Sequence, residues 1–124
     1  MGYSANSGKF FLCRNTGTAF DCSKQWGTIP GTVKTGWQFV AGRFHNRSTN
    51  IDVLGYRQSD GTVWVGQNTN TALTFTQWYK FPTTGARTIL SGYFNPTTDH
   101  TLPESIAVYT PVSGVVSVGR VTGP

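Results

Sequence analysis

The 124-residue sequence is poor in acidic side chains, with five Asp and Glu residues against ten Lys and Arg residues. Hydrolysis of a glycosidic bond needs two carboxyl groups held ~5 to 9.5 Å apart across that bond. The spacing of these five carboxylates nominates no such pair, and no Ser or Cys stands in a recognisable nucleophile context. We therefore expect the protein not to be an enzyme.

Long apolar runs and basic runs are missing as well. No stretch of ~18 apolar residues could form a membrane-spanning helix, so we expect no membrane insertion. The Lys and Arg residues are scattered rather than gathered into the basic stripe of a nucleic-acid-binding protein, so we expect no nucleic-acid partner. The formal net charge of +5 would still help to attract acidic glycans or anionic surfaces.

Sustained 3.6-residue periodicity is also absent, which argues against helices. The 15 Gly residues, together with many Thr, Val and aromatic residues, favour strands joined by tight turns. Alternation of apolar with polar or small residues is clear in TVWVGQN and LTFTQW, as expected for half-buried strands. The composition predicts a small all-β protein.

An internal repeat organises the chain. Tyr3, Tyr56 and Tyr109 are spaced equally by 53 residues, and they open the segments YSANSGKFFLCRNTG, YRQSDGTVWVGQNTN and YTPVSGVVSVGRVTG. Each segment has a polar turn ending in Gly, then an apolar run. The pair Gln-Trp follows the first two copies, ending at Trp26 and Trp78. A fixed period of this length indicates stacked supersecondary units.

Four strands per repeat are predicted, over Gln38 to Phe44, Ile51 to Tyr56, Thr62 to Asn68 and Leu73 to Phe81. These would form four-stranded antiparallel units of the kind that build β-propeller blades. Residues 37–83 would be one full blade, flanked by partial blades over 1–36 and 84–124. Propellers need ~4 to 8 blades, so either several identical chains complete one ring or this chain is a piece of a longer propeller, and we favour the first. Three chains giving two blades each is the favoured count.

The residues from Trp37 to Thr69 resemble a known repeat family. W-x-F-x-x-G-x-F followed by I-D-V-L-G-Y-x-x-x-D-G-x-V-W-V-x-x-N-T is similar to the integrin-type FG-GAP or VCBS repeat. That repeat builds propellers in secreted bacterial proteins, in shell subunits of insecticidal toxin complexes and in fungal lectins of the Psathyrella type. The resemblance implies a propeller fold, carbohydrate binding and a secreted or extracellular location.

The metal loop of that family is degraded here. Its pattern D-x-N-x-D-G-x-x-D corresponds to the stretch from Arg43 to Asp52, in which only the final Asp remains. Calcium takes ~6 to 8 oxygen ligands, several of them carboxylates. We expect no bound calcium and no cofactor, and we expect Asp52 to accept hydrogen bonds from local backbone amides.

The two cysteines, Cys13 and Cys22, fall on either side of one predicted hairpin turn. They could form a disulfide if the strands bring them opposite each other, or they could be two buried small residues. A disulfide would imply an oxidising compartment.

Aromatic residues are the main indication of function, with four Trp, five Tyr and eight Phe. By resemblance to lectins with pockets between blades, the candidate ligand-binding residues are Trp37, Arg43, His45, Asn46, Trp78, Tyr79 and Arg87. Residues such as Trp78 that recur at a fixed repeat phase could instead pack blades together. The leading hypothesis is a lectin-like module with multivalent glycan sites. The alternative is a non-catalytic structural or protein-interaction segment of a larger secreted or toxin-like propeller.

Overall fold

The computed structural model describes residues 1–32, 35–45, 50–94 and 103–119. These residues form ten strands and, within those ranges, no helix: β1 Gly2–Ser4, β2 Lys9–Asn15, β3 Phe20–Thr28, β4 Trp37–Gly42, β5 Asp52–Arg57, β6 Thr62–Asn68, β7 Leu73–Lys80, β8 Thr88–Gly92, β9 Ser105–Thr110 and β10 Val115–Gly119. The all-β prediction is confirmed.

The strands form three antiparallel sheets. The first has the order β1-β2-β3, the second β4-β5-β6-β7, and the third β10-β9-β8. The second sheet is the four-stranded unit predicted from the repeat, and its strands start and end within two residues of the predicted bounds. The first sheet lacks a counterpart of β4 and the third lacks a counterpart of β7, among the residues described. Closure of such sheets into a propeller stays a prediction.

The repeated turn glycines have the same conformation in all three copies. Gly8, Gly61 and Gly114 have φ angles of 68°, 73° and 69°, a region that other residues adopt only with strain. The amide of Gly61 donates to the carbonyl of Arg57 at 2.9 Å, and its two counterparts make the matching bond. The repeat thus encodes one hairpin turn three times.

The sheets stack face to face through two apolar clusters. Between the first and second sheets lie Phe10, Trp26, Ile29, Val53 and Leu73. Between the second and third sheets lie Phe44, Leu54, Tyr56, Val63, Val65, Ile89 and Val108. The second sheet therefore buries both of its faces, which explains why five successive residues of β5 are buried.

The first strand of the second sheet and the first strand of the third sheet both end in a Gly-x-Phe sequence, from Gly42 to Phe44 and from Gly92 to Phe94. A Cβ at Gly42 would lie 2.8 Å from the ring of Phe44, and one at Gly92 would lie 3.2 Å from the ring of Phe94. The Phe ring folds back over the backbone two residues earlier. A side chain at Gly42 would displace the Phe44 ring, whereas at Gly92 the Phe94 ring would have to shift by only a few tenths of an ångström.

Cys13 and Cys22 form a disulfide between β2 and β3. The register of these strands shifts between Leu12 and Arg14, so the bridge lies at an irregular point of the ladder. It fastens the hairpin of the first sheet covalently.

Candidate binding cleft between the second and third sheets

A cleft of about 990 Å³ opens between the second and third sheets. Its floor is apolar and includes Leu54, Val63, Val65, Ile106 and Val108. Its polar lining includes Thr76, Gln77, Thr83, Thr110 and Ser117. The cleft borders β10, the edge strand of the third sheet. A concave apolar surface with a few polar groups is the usual form of a small-ligand site.

Trp78 and Tyr79 line the cleft together although they are consecutive in β7. Neighbouring strand residues normally point to opposite faces. Here the register shifts between Val63, which pairs with Tyr79, and Trp64, which pairs with Gln77. Trp78 is the extra residue of this β-bulge, and such bulges redirect side chains. The bulge thus places two large aromatic residues at one opening, where Tyr79 is 54% exposed.

Arg87 contributes a buried cation beside this aromatic pair. Only 8% of the residue is exposed. Its Nη1 donates to the Tyr56 hydroxyl at 2.6 Å, its Nη2 donates to Thr83 Oγ1 at 2.7 Å, and its guanidinium lies 4.1 Å from the centre of the Phe81 ring. Its Nε is buried and has no hydrogen-bond partner among the residues described. Within the described ranges no carboxylate pairs with Arg87, so this side of the cleft is positively charged.

His45 lies behind Trp78 and is held by Asp52. The His45 and Trp78 rings meet edge to face with centroids 5.0 Å apart, and His45 Nδ1 is 2.9 Å from Asp52 Oδ2. His45 is not a lining residue of the cleft. Its geometry suits a support for the Trp78 ring rather than a direct ligand contact.

Asp52, at the start of β5, is fully buried. It bonds to the segment after β4 and to the end of β6. Its Oδ2 accepts the amides of Phe44 at 3.2 Å and His45 at 3.1 Å, and its Oδ1 accepts the amide of Asn68 at 2.9 Å. The prediction that Asp52 satisfies local backbone amides is confirmed. Burial of a carboxylate is tolerated because several donors replace water.

Arg43 fixes the second sheet to the third through its main chain. Its amide donates to Glu104 Oε2, and its carbonyl accepts the amide of Glu104 at 2.7 Å. Arg43 is not among the cleft residues. Asn46 lies outside the described residues.

Trp37 faces the first sheet, on the opposite side of the second sheet from the cleft. It stacks on Phe39 with ring centroids 5.7 Å apart and an interplanar angle of 4°, and the Arg57 guanidinium lies 5.3 Å from its ring centre. Of the seven residues predicted to bind ligand, the structure brings together Trp78, Tyr79 and Arg87. Trp37 is separated from them by the thickness of the sheet.

Three residues that bond to predicted site residues were not predicted from sequence: Tyr56 and Thr83 bond to Arg87, and Glu104 bonds to Arg43. Tyr56 carried a signal, since it is the central member of the equally spaced Tyr series. Glu104 also carried a signal, because it directly precedes β9 and a long polar side chain at a strand end can reach an adjacent loop. Thr83 had no such signal.

The part of the chain that the structure describes contains no cluster of three or more His, Cys, Asp or Glu side chains arranged to hold a metal ion. It also contains no helix that is long and apolar enough to cross a membrane.

Comparison with known proteins gives no match: no protein-family model, no curated protein and no solved structure is similar enough to be significant.

Proposed function

We propose that the protein binds carbohydrate, without catalysis, in the cleft between its second and third sheets. The observation that carries this proposal is the bulge that presents Trp78 and Tyr79 together at the cleft opening. Aromatic rings suit the apolar C–H face of a sugar, because they offer a large contact area at little cost in side-chain entropy.

The polar lining supports the same class of ligand. Thr76, Thr83 and Ser117, which carry hydroxyl groups, line the same cleft as the aromatic pair. Such groups both donate and accept hydrogen bonds, as sugar hydroxyls require. Arg87 adds a positive charge without a carboxylate partner among the described residues, which would favour acidic over neutral saccharides.

The wider proposal follows the resemblance to FG-GAP or VCBS repeats. Three stacked antiparallel sheets are compatible with propeller blades, and repeated sites in a ring of chains would gain avidity. The disulfide between Cys13 and Cys22 is typical of oxidising compartments, which supports a secreted or extracellular location.

A glycan array tests the proposal most broadly. We expect the chain to bind a subset of glycans, enriched in acidic ones, and we expect EDTA to leave binding unchanged because the degraded loop offers no calcium site. Tyr79→Ala removes an exposed aromatic ring from the cleft and should weaken binding by about tenfold or more. Phe20→Ala, at a residue that is 71% exposed in the first sheet, is the matched control and should bind normally.

A second candidate is a structural or protein-interaction segment of a larger propeller. The observation that favours it is the exposed apolar surface of the third sheet, where Leu90 and Val116 are 59% and 66% exposed. If the correctly folded chain binds no glycan on the array, the result would support this candidate and contradict glycan binding.

A further inference from the structure

One face of the third sheet is apolar and exposed. Leu90, Tyr109, Val116 and Val118 lie on it, with exposed fractions of 59%, 42%, 66% and 58%. Tyr109 pairs with Val116, and Ala107 pairs with Val118 and with Leu90. Cross-strand partners share a face, so these side chains form one patch, here called the outer patch. A patch of this kind marks an interaction surface.

The same face is covered in the other two sheets. Tyr56 and Val63 precede Tyr109 and Val116 by the repeat interval of 53 residues, and they are only 2% and 3% exposed. The third sheet covers them, as shown by the bond between the Tyr56 hydroxyl and the carbonyl of Gly85 at 2.5 Å and by their shared cluster with Ile89.

The first sheet repeats this arrangement. Tyr3 and Phe10 occupy the same repeat positions, and both pack on Phe39 of the second sheet, with ring centroids 4.7 Å and 4.9 Å away. Phe10 also meets Phe75 at 5.6 Å. The molecule therefore shows twice what covers this face, namely the opposite side of the next sheet in the series.

Among the described residues, the side of the first sheet that could serve this purpose contributes nothing to the two apolar clusters between the sheets. Phe11 and Cys13 lie on it, opposite Phe10 in the strand alternation. Their counterparts in the second sheet are Trp64 and Gly66, and the Phe75 ring covers Gly66. In the first sheet the Cys13–Cys22 disulfide stands at that position and offers a comparable apolar contact. We call the surface formed by Phe11 and the disulfide the inner patch.

We propose that the outer patch of one chain docks on the inner patch of a second copy, so that identical chains join head to tail. The contact continues the stacking that the chain already uses twice. Two copies would supply six sheets, since each has three, whereas three copies would supply nine and exceed the ~4 to 8 blades of ordinary propellers. Two copies are therefore favoured over the three expected from counting two blades per chain.

Solution mass with point variants tests this surface. We expect the wild-type chain to have a mass of twice 13.5 kDa and Val116→Glu to raise the dissociation constant by about 100-fold, because the interface would bury an unpaired charge. Val116 is exposed in the single chain, so the variant should keep its circular dichroism and melting temperature. Val112→Glu, at a residue that is 95% exposed in the turn before β10, is the matched control and should assemble normally.

Mixing two variants distinguishes head-to-tail docking from a symmetric contact between two outer patches. Val116→Glu blocks the outer patch and keeps the inner one, whereas Phe11→Glu does the reverse. Head-to-tail docking predicts that the two variants are each monomeric and associate when mixed, because one intact interface is restored. A monomeric wild type at all soluble concentrations would overturn the proposal, as would a mixture that stays monomeric. Neither Val116 nor Phe11 lines the cleft, so glycan binding can fail or hold independently of this result.

Discussion

Arg87 donates a hydrogen bond from Nη1 to the hydroxyl of Tyr56 across 2.6 Å. The Tyr56 hydroxyl in turn donates to the carbonyl of Gly85 at 2.5 Å. Tyr56 belongs to the second sheet, and the other two residues precede β8 of the third. This pair of hydrogen bonds joins the second sheet to the segment that leads into the third. Tyr56 and Arg87 are both buried, and a hydrogen bond shielded from water is stronger than one at the surface.

Tyr56→Phe should lower the free energy of unfolding by about 1 to 3 kcal/mol, because it removes the hydroxyl that partners the part-buried Gly85 carbonyl and one donor of the buried Arg87 guanidinium. Urea unfolding at neutral pH measures this loss. Tyr79→Phe is the matched control. Tyr79 is 54% exposed, so its variant should stay within about 0.5 kcal/mol of the wild type. Equal effects of the two variants would contradict the role of this pair of hydrogen bonds.

Asp52→Asn should lower the free energy of unfolding by more than Tyr56→Phe does. The carboxylate accepts three backbone amides and faces His45 Nδ1, whereas an Asn would place an NH₂ group against one set of these donors. We expect a loss of about 2 to 4 kcal/mol from unsatisfied and opposed donors. Asp21→Asn, at an exposed residue that caps only Ser23, should change stability little. A change of less than about 1 kcal/mol for Asp52→Asn in urea unfolding would contradict a stabilising role for the hydrogen bonds that Asp52 accepts.

Reduction of the disulfide should destabilise the chain without abolishing the fold of the second sheet. The closed loop is short, with a sequence separation of 9, and loop-closure entropy for such a length corresponds to about 2.5 kcal/mol. Unfolding curves with and without reductant measure the difference. The Cys13→Ser/Cys22→Ser double variant should match the reduced wild type and be insensitive to reductant. An unchanged midpoint on reduction of the wild type would exclude a stabilising bridge.

Acid stability should depend on Asp60. Hydrogen bonds from Arg57 hold the pKa of the Asp60 carboxyl well below its ordinary value of 3.8, and the bonds from Thr62 act in the same direction. Because the folded state favours the ionised form, this carboxylate stabilises the fold above the ordinary pKa, and the contribution is lost as pH falls below it.

The Asp60→Asn variant should therefore be less stable than the wild type at neutral pH by about 0.5 to 1 kcal/mol, as for a partly exposed ion pair. The difference in free energy of unfolding between the wild type and Asp60→Asn should become smaller as pH is lowered from 5 towards 2. Chemical unfolding across this pH range measures this difference. A difference that is constant with pH would show that the ion pair does not stabilise the fold.

Much of the fold follows from local sequence patterns. The turn glycines require positive φ angles, and the alternation in β6 and β7 sets the strand bounds to within two residues. The role of Asp52 was also predictable, because a lone acidic residue at a strand end has backbone amides as its nearest donors.

The face on which a residue lies was harder to predict. Alternation shows that Trp37 and Gln38 point to opposite sides of β4, but it does not say which side meets the first sheet. The bulge that turns Trp78 and Tyr79 towards one cleft depends on how β7 pairs with β6. The contact between Glu104 and Arg43 spans 61 residues of sequence. Such features are set by tertiary packing rather than by local pattern.

The most direct test of carbohydrate binding in this cleft is a saccharide titration followed through the indole N–H signals of the four Trp residues in a nitrogen-15 correlation spectrum, assigned with Trp→Phe variants. We expect the Trp78 signal to shift in proportion to saturation. The Trp26 signal should not move, because Trp26, at the same repeat position, is only 7% exposed and packs between the first and second sheets. A saccharide that binds while shifting Trp37 and leaving Trp78 unchanged would contradict the assignment of the site.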